Sequence, residues 1–143
     1  MDKPKDLSAY ELCLLQTKTN RAMHEIISSQ LKSNKLTTME WLLLNTIAGS
    51  GKSGMQMSKI ANVLDVTLPQ VTTLTTKLVS SRLVYQKIST NDSRVRNLSL
   101  TLKGKRLLPK SDKLIEEAVS SWSRSITPDQ MRMYAKVLER LTR

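Results

Sequence analysis

The sequence predicts a mainly α-helical chain with one small β-hairpin: a winged helix-turn-helix set between N- and C-terminal dimerisation helices. Three observations carry this. Two short helical patterns, about Met57 to Leu64 and about Leu68 to Ser81, are separated only by a turn at Asp65-Val66. A strictly alternating run follows, in which Leu98, Leu100 and Leu102 interleave with Asn97, Ser99 and Thr101. The segments on either side of this unit are helical and amphipathic, and a small winged core has no surface left to cover them.

Taken in order, the first helix runs from about Asp6 to Leu31. Leu12, Leu15, Ala22, Met23, Ile26 and Ile27 recur at helical spacing with no interior Gly or Pro. After the break "LKSNK", Thr37-Thr38-Met39-Glu40 is a capping box, in which the Thr37 hydroxyl accepts the N3 amide while Glu40 reaches back. It opens a second helix through Trp41, Leu42, Leu44, Ile47 and Ala48, which "GSGKSG" ends. That loop holds a GKS triplet, but a phosphate-binding loop needs Gly at position 46, where this chain has Thr, and a strand before it. It reads as a connector.

Thr67 is an N-cap for the second helix of the motif, with Pro69 in the first turn, where a missing N–H costs nothing. Val71, Leu74 and Leu78 form its apolar stripe, and Pro69, Thr72, Thr73, Thr76 and Ser80 the opposite face, with Lys77 beside it. Threonine favours strands, which makes a strand the alternative here; Pro69 and the apolar period argue for helix. Strands at Val84–Ser89 and Asn97–Leu102 flank the turn-rich tip "STNDSRVRN". Beyond Thr101 the chain returns to helix, with Pro109 kinking it or marking its start, and Leu114, Ile115, Ala118, Val119 and Trp122 continuing an apolar side. Thr127-Pro128-Asp129-Gln130 is another capping box. It opens a last helix whose Met131, Tyr134, Leu138 and Leu141 form a narrow seam suited to helix association.

Composition narrows the function. The 143 residues include no Phe, one Cys and one His, so an internal disulfide and a dedicated zinc site are not expected. No cofactor fingerprint or nucleophile–base arrangement is present, and an enzyme is not the expectation. No transmembrane-length apolar stretch occurs, and "MDKPKDL" is not followed by a signal-type segment, so a cytoplasmic protein is expected. Net charge is +11. Between Lys52 and Lys110 stand eleven basic residues and only two acids, Asp65 and Asp92. A basic field concentrated on the central segment suits a polyanion.

Read together, "LTTMEWLLLNTI", "MSKIANVLDVTLPQVTTLTTKLVSSRLV" and "NDSRVRNLSLTLKGKRLL" resemble the MarR family of bacterial transcriptional regulators over essentially the whole chain. The family's Asp-x-Arg of the wing falls on Asp92 and Arg94, and its Leu-Thr-x-x-Gly on Leu100, Thr101 and Gly104. Where the family usually has Gly before the first wing strand, in a place commonly left-handed, this chain has Arg82; it also lacks an Arg that many members carry near Thr73. The resemblance implies one domain over 1–143, with a winged core at about 37–102 and dimerisation helices at about 6–33 and 103–143. It implies a homodimer binding double-stranded DNA at a pseudo-palindromic operator, as a ligand-responsive repressor.

The expected DNA-binding residues are Thr67, Pro69, Gln70, Thr72, Thr73, Thr76 and Lys77 on the recognition helix, and Asn91, Asp92, Ser93, Arg94 and Arg96 on the wing. Short hydroxyl side chains let a helix approach the major groove closely, and their methyls can meet thymine methyls. A guanidinium suits the negative potential of a narrow minor groove, with Asp92 orienting Arg94. MarR-like proteins often bind a small effector between dimerisation helices and winged core; Met23, His24, Met39 and Trp41 are the candidate lining, against ordinary core packing. Some relatives sense oxidants through a first-helix cysteine, and Cys13 occupies such a stretch; inert buried packing is the other reading. The competing function is a winged-helix module that binds protein, or nucleic acid without sequence preference.

Overall fold

The computed structural model describes residues 6–143; the first five residues, part of the segment read above as lacking a signal sequence, lie outside the described residues. Helix α1 (Ala9–Leu31) leads through a 3-10 turn (Lys32–Asn34) to α2 (Thr38–Ala48). A second 3-10 turn (Gly51–Ser53) and a two-residue strand β1 (Met55–Gln56) precede α3 (Met57–Leu64) and α4 (Leu68–Ser80). Strands β2 (Val84–Ile88) and β3 (Arg96–Leu100) form the wing, and α5 (Leu102–Trp122) and α6 (Pro128–Leu141) complete the chain. The sheet is antiparallel in the order β1-β3-β2, with Met55 opposite Leu98 and Val84 opposite Leu100.

Local sequence signals explain where most elements begin. Capping boxes are formed at Thr37/Glu40 and Thr127/Gln130 as the sequence predicts, and also at Ser8/Glu11 and Thr67/Gln70. Ser8 places the start of α1 three residues later than its apolar pattern suggests. The Ser8 backbone N–H, and then its hydroxyl, donate to Glu11 and hold that carboxyl below its ordinary pKa.

The core is almost wholly aliphatic. Leu31, Leu43, Leu44, Ile47, Ile60, Val71, Leu78, Leu98 and Leu108 meet where α1, α2, α5, the helix-turn-helix and β3 converge. Each such side chain contributes about 1.5–3 kcal/mol by leaving water. Four polar side chains are buried with it, Glu40, Thr75, Ser99 and Ser111; Thr75, 1 % exposed, shares the buried face of α4 with Val71 and Leu78, while Leu74 is only half-buried.

Three differences from the sequence reading have physical causes. The second wing strand ends at Leu100, not Leu102. Thr101 turns the chain into α5 by accepting the Gly104 N–H, so Leu102 becomes the first residue of that helix and is 64 % exposed. Ser99 is buried although it alternates with buried leucines, because β3 is the central strand and Gly54 lies over its other face. A Cβ at Gly54 would come within 2.6 Å of the Leu98 carbonyl oxygen, so this short approach needs glycine. Pro109 does not start α5; it lies inside a continuous helix whose buried positions are Gly104, Leu108, Ser111 and Ile115, while Leu114 and Trp122 remain substantially exposed.

The turn into the wing answers the question raised by Arg82. The Leu83 N–H donates to Leu78 O (3.0 Å) and the Arg82 N–H to Val79 O (2.9 Å), which closes α4 in a Schellman motif. Arg82 takes the left-handed conformation this needs, at φ 60°, despite its side chain. A non-glycine residue there costs roughly 1–2 kcal/mol. The geometry is kept by three bonds from the start of α5: Thr101 N–H to Leu83 O, the Thr101 hydroxyl to Arg82 O, and Lys103 Nζ to Ser81 O. Gly104 completes the junction, since any side chain there would strike the Leu83 carbonyl. This is the physical content of the Leu-Thr-x-x-Gly pattern.

Candidate nucleic-acid interface

Helix α4 buries Val71, Thr75 and Leu78, packs the half-buried Leu74 against the core and presents its other residues outward. Thr67, Pro69, Gln70, Thr72, Thr73, Thr76 and Lys77 are all exposed, as are Asn91, Asp92, Ser93, Arg94 and Arg96 on the wing. The wing tip and the recognition helix meet at a groove lined by Ser58, Leu68, Thr72, Arg94 and Arg96. Ser58, in the first turn of α3, is a contributor that sequence reasoning missed; only the packing of α3 beside the wing reveals it.

The outward threonines are not free donors. The hydroxyls of Thr72, Thr73 and Thr76 donate to the carbonyls of Leu68, Pro69 and Thr72 at 3.0–3.1 Å. Each therefore shows solvent a methyl group and an oxygen lone pair, a surface that accepts from an exocyclic amine or packs on a thymine methyl. Thr67 and Gln70 spend most of their polar capacity on capping: the Thr67 N–H and hydroxyl both donate to Gln70 Oε1, at 2.9 and 3.0 Å. The side-chain amide nitrogen of Gln70 keeps its donors for another partner.

Two of these residues also make contacts within the chain. Lys77 does not stand free on the helix: its Nζ lies 2.7 Å from Glu40 Oε1, a carboxylate whose side chain is 2 % exposed. The other Glu40 oxygen accepts the Thr37 N–H at 2.9 Å. One buried carboxylate thus caps α2 and anchors α4, and Lys77 is its counter-charge. Asp92 shapes the wing as well as pairing with the Arg94 guanidinium. Its Oδ1 accepts the Arg94 backbone N–H at 2.9 Å, whereas the Arg94 Nε is 3.8 Å away and the Arg94 side chain is 92 % exposed. With the Val95 N–H donating to Asp92 O, this closes the tip as a tight turn and leaves the guanidinium in water.

The four candidate effector residues do not share a cavity. Met23 packs against the core and His24 is exposed on α1. Met39 lines a cleft with Val66, Pro69, Gln70, Thr73 and Leu74, behind the recognition helix. Trp41 lies in a separate cleft between α2 and α5, where its indole N–H and the Asn45 amide both donate to Asp112 Oδ1, at 2.7 and 3.2 Å. Helical spacing put Met39 and Trp41 near each other in sequence but on different sides of α2. Cys13 is exposed on the N-terminal half of α1, so it is not buried packing within this chain. No metal-binding group of His, Cys, Asp and Glu occurs among the described residues, and no helix there is long and apolar enough to cross a membrane.

No protein-family model matches the chain, and no curated protein matches it. Solved structures do match closely. A mutant of MarR from E. coli in complex with operator DNA superimposes with a TM-score of 0.82, at 20% identity, over 91% of this chain and 92% of that one. The S. aureus MepR–DNA complex matches with a TM-score of 0.81, at 20% identity, over 96% and 98%. CouR from Rhodococcus jostii RHA1, bound to p-coumaroyl-CoA, matches with a TM-score of 0.85, at 15% identity, over 96% and 95%. The chain therefore has the winged-helix fold of MarR-family transcriptional regulators.

Proposed function

We propose that this protein is a MarR-type transcriptional regulator that binds a specific double-stranded DNA operator as a homodimer. The observation that carries the reading is the groove in which Leu68 and Thr72 of α4 meet Arg94 and Arg96 of the wing. An α4 surface of methyls and hydroxyl oxygens suits the major groove, and an exposed arginine on a tight turn suits the adjacent minor groove. The basic residues of the segment from Lys52 to Lys110 supply attraction to phosphates that does not depend on sequence. Two neighbours of the same fold are solved with DNA, which supports the assignment.

In this reading Thr72, Thr73, Thr76, Pro69 and Gln70 face bases or backbone, and Asn91, Ser93, Arg94 and Arg96 bind the minor groove and its phosphates. Lys77 serves by fixing α4 on α2. The dimer is formed by α1, α5 and α6, and its two recognition helices read a pseudo-palindrome. Repression relieved by a small molecule fits the clefts that flank α2, one of them backed directly by Thr73 and Leu74 of the recognition helix. CouR was solved with an acyl-CoA, so the fold accommodates an effector in at least one neighbour. Residues within the winged core (about 37–102) then read DNA, and those outside it pair the copies.

Selection of bound duplexes from a random pool tests the proposal. Enrichment of a two-fold symmetric sequence, bound by two chains, is the expected outcome. Retention of every duplex alike would favour a non-specific nucleic-acid binder, and no retention at all a protein-interaction module.

A further inference from the structure

The side-chain groups that α4 can offer a major groove limit which bases it can read. In a helix-turn-helix the first turns of the second helix reach the base edges. Reading guanine there takes donors aimed at N7 and O6, supplied by Arg or Lys. Helix α4 carries no Arg, and its one cation, Lys77, has its ammonium 2.7 Å from the buried Glu40 carboxylate. Bidentate reading of adenine takes a donor and an acceptor from one Asn or Gln. The helix has no Asn, and Gln70 Oε1 is already taken by the Thr67 N–H and hydroxyl. From Thr67 to Thr76 the outward donor left over is the Gln70 amide nitrogen. It can donate to an acceptor on any base pair, so alone it discriminates little.

What α4 does present is apolar and accepting. Leu68, Thr72 and Thr76 stand at i, i+4 and i+8 along one stripe, with Pro69 and Thr73 beside them. Each of these threonine hydroxyls donates its proton to the carbonyl one turn earlier, that of Leu68, Pro69 or Thr72. A methyl and a lone pair remain for a partner. Leu68, a large apolar side chain, is 49 % exposed in the groove beside Arg94. To such a surface an A·T pair offers the thymine methyl and the adenine N6 amine. A G·C pair offers the cytosine amine but no methyl. It also brings guanine N7 and O6, two acceptors that α4 cannot both satisfy and that cost free energy to desolvate.

On the DNA-binding reading above, on which this rests, we infer that α4 reads its half-site through thymine C5-methyl groups. Leu68, Thr72, Thr73 and Thr76 supply the apolar contacts, adenine amines donate to the threonine oxygens, and guanine is not read. The methyl, rather than the pyrimidine that carries it, is what the helix recognises. A 5-methylcytosine is therefore accepted where plain cytosine is refused.

The test begins with the full chain and a pool of random duplexes. If no sequence is enriched, the DNA-binding reading fails and this one with it. With an enriched duplex in hand, each thymine of the half-site is replaced in turn by deoxyuridine and each guanine by 7-deazaguanine, changes confined to the major-groove edge. Deoxyuridine is expected to weaken binding about fourfold for each contacted methyl, the equivalent of ~0.8 kcal/mol for one buried carbon. The 7-deazaguanine duplexes should lose less, as the single Gln70 donor implies. Changing a contacted T·A pair to C·G should weaken binding, and 5-methylcytosine in its place should restore part of the loss. Thr72→Ser, Thr73→Ser and Thr76→Ser each keep the hydroxyl and remove the methyl at an exposed position. Each should bind thymine and deoxyuridine duplexes alike at its own base pair, and Leu68→Ala should do the same at another. The inference is overturned, with the DNA-binding reading intact, if deoxyuridine costs nothing or if 7-deazaguanine costs as much. It is also overturned if all four variants keep the wild-type response to deoxyuridine; the methyls would then act through the shape of the duplex and not by contact with α4.

Discussion

Between Ile27 and Ile115 each long element buries one face, and what remains outside the helix-turn-helix and wing is mostly hydroxyl, amide and basic. Before Ile27 and after Ile115 no described residue is buried at all. Yet those ends are not polar: Leu7, Tyr10, Leu12, Leu15, Met133, Val137 and Leu141 are each at least 45 % exposed. Helix α6 is the sharper case, because it is amphipathic, well capped and without an extensive packing partner in its own chain. The two regions differ in what completes them. The central one is finished by its own core and carries the concentration of basic residues; the ends expose large apolar side chains, the kind of surface that an interaction site uses. The proposed homodimer would meet that need symmetrically.

The largest effect that tests this contrast comes from removing residues after Thr127. Loss of the dimer in sedimentation, together with loss of specific DNA binding, is expected, while the winged core keeps its helical circular-dichroism signal. A truncated chain that still sediments as a dimer would move the interface elsewhere.

Within the central region, Lys77→Met should separate fold from DNA binding. It leaves the Glu40 carboxylate buried without its counter-charge, which costs about 1–3 kcal/mol once the half-exposed position of Lys77 is allowed for. Thermal melting should show the destabilisation, and adding Glu40→Gln should recover part of it. The salt slope of DNA binding should not change; a lower slope would return Lys77 to the phosphate-binding residues.

Arg94→Ala and Thr73→Val should then divide affinity from specificity. The arginine variant should weaken every duplex and lower the slope of log K against log salt by roughly 0.9 for each phosphate no longer neutralised. The threonine variant removes an acceptor at constant shape, so preference at one base pair should change by about 1–3 kcal/mol with the slope intact. Both variants should fold, since both positions are exposed. If Thr73→Val bound all duplexes as wild type does, α4 would not be the reading element. The smallest effect is expected at Cys13. Cys13→Ser should leave DNA binding in reducing buffer unchanged, and release by peroxide of wild type alone would establish a redox role for the exposed thiol.

The elements and their order are written in the chain itself. Caps at Thr37, Thr67 and Thr127, the apolar period of α3 and α4, and the alternation at Leu98 and Leu100 are local signals. Each depends on hydrogen bonds or packing within a few residues. The outward face of α4 is legible for the same reason: one helix has one period. Packing fixes what depends on neighbours distant in the chain. Strand β1 is two residues long, too short for any period, and exists because Met55 and Gln56 meet Leu98 and Asn97. Ser99 is buried because β3 is central, and Leu102 is exposed because Thr101 caps a helix instead of extending a strand. Lys77 reads as any exposed lysine until α2 brings Glu40 to 2.7 Å from it. Periodicity assigns a side chain to a face, but which charge or cavity lies opposite is fixed by how the helices and sheet pack.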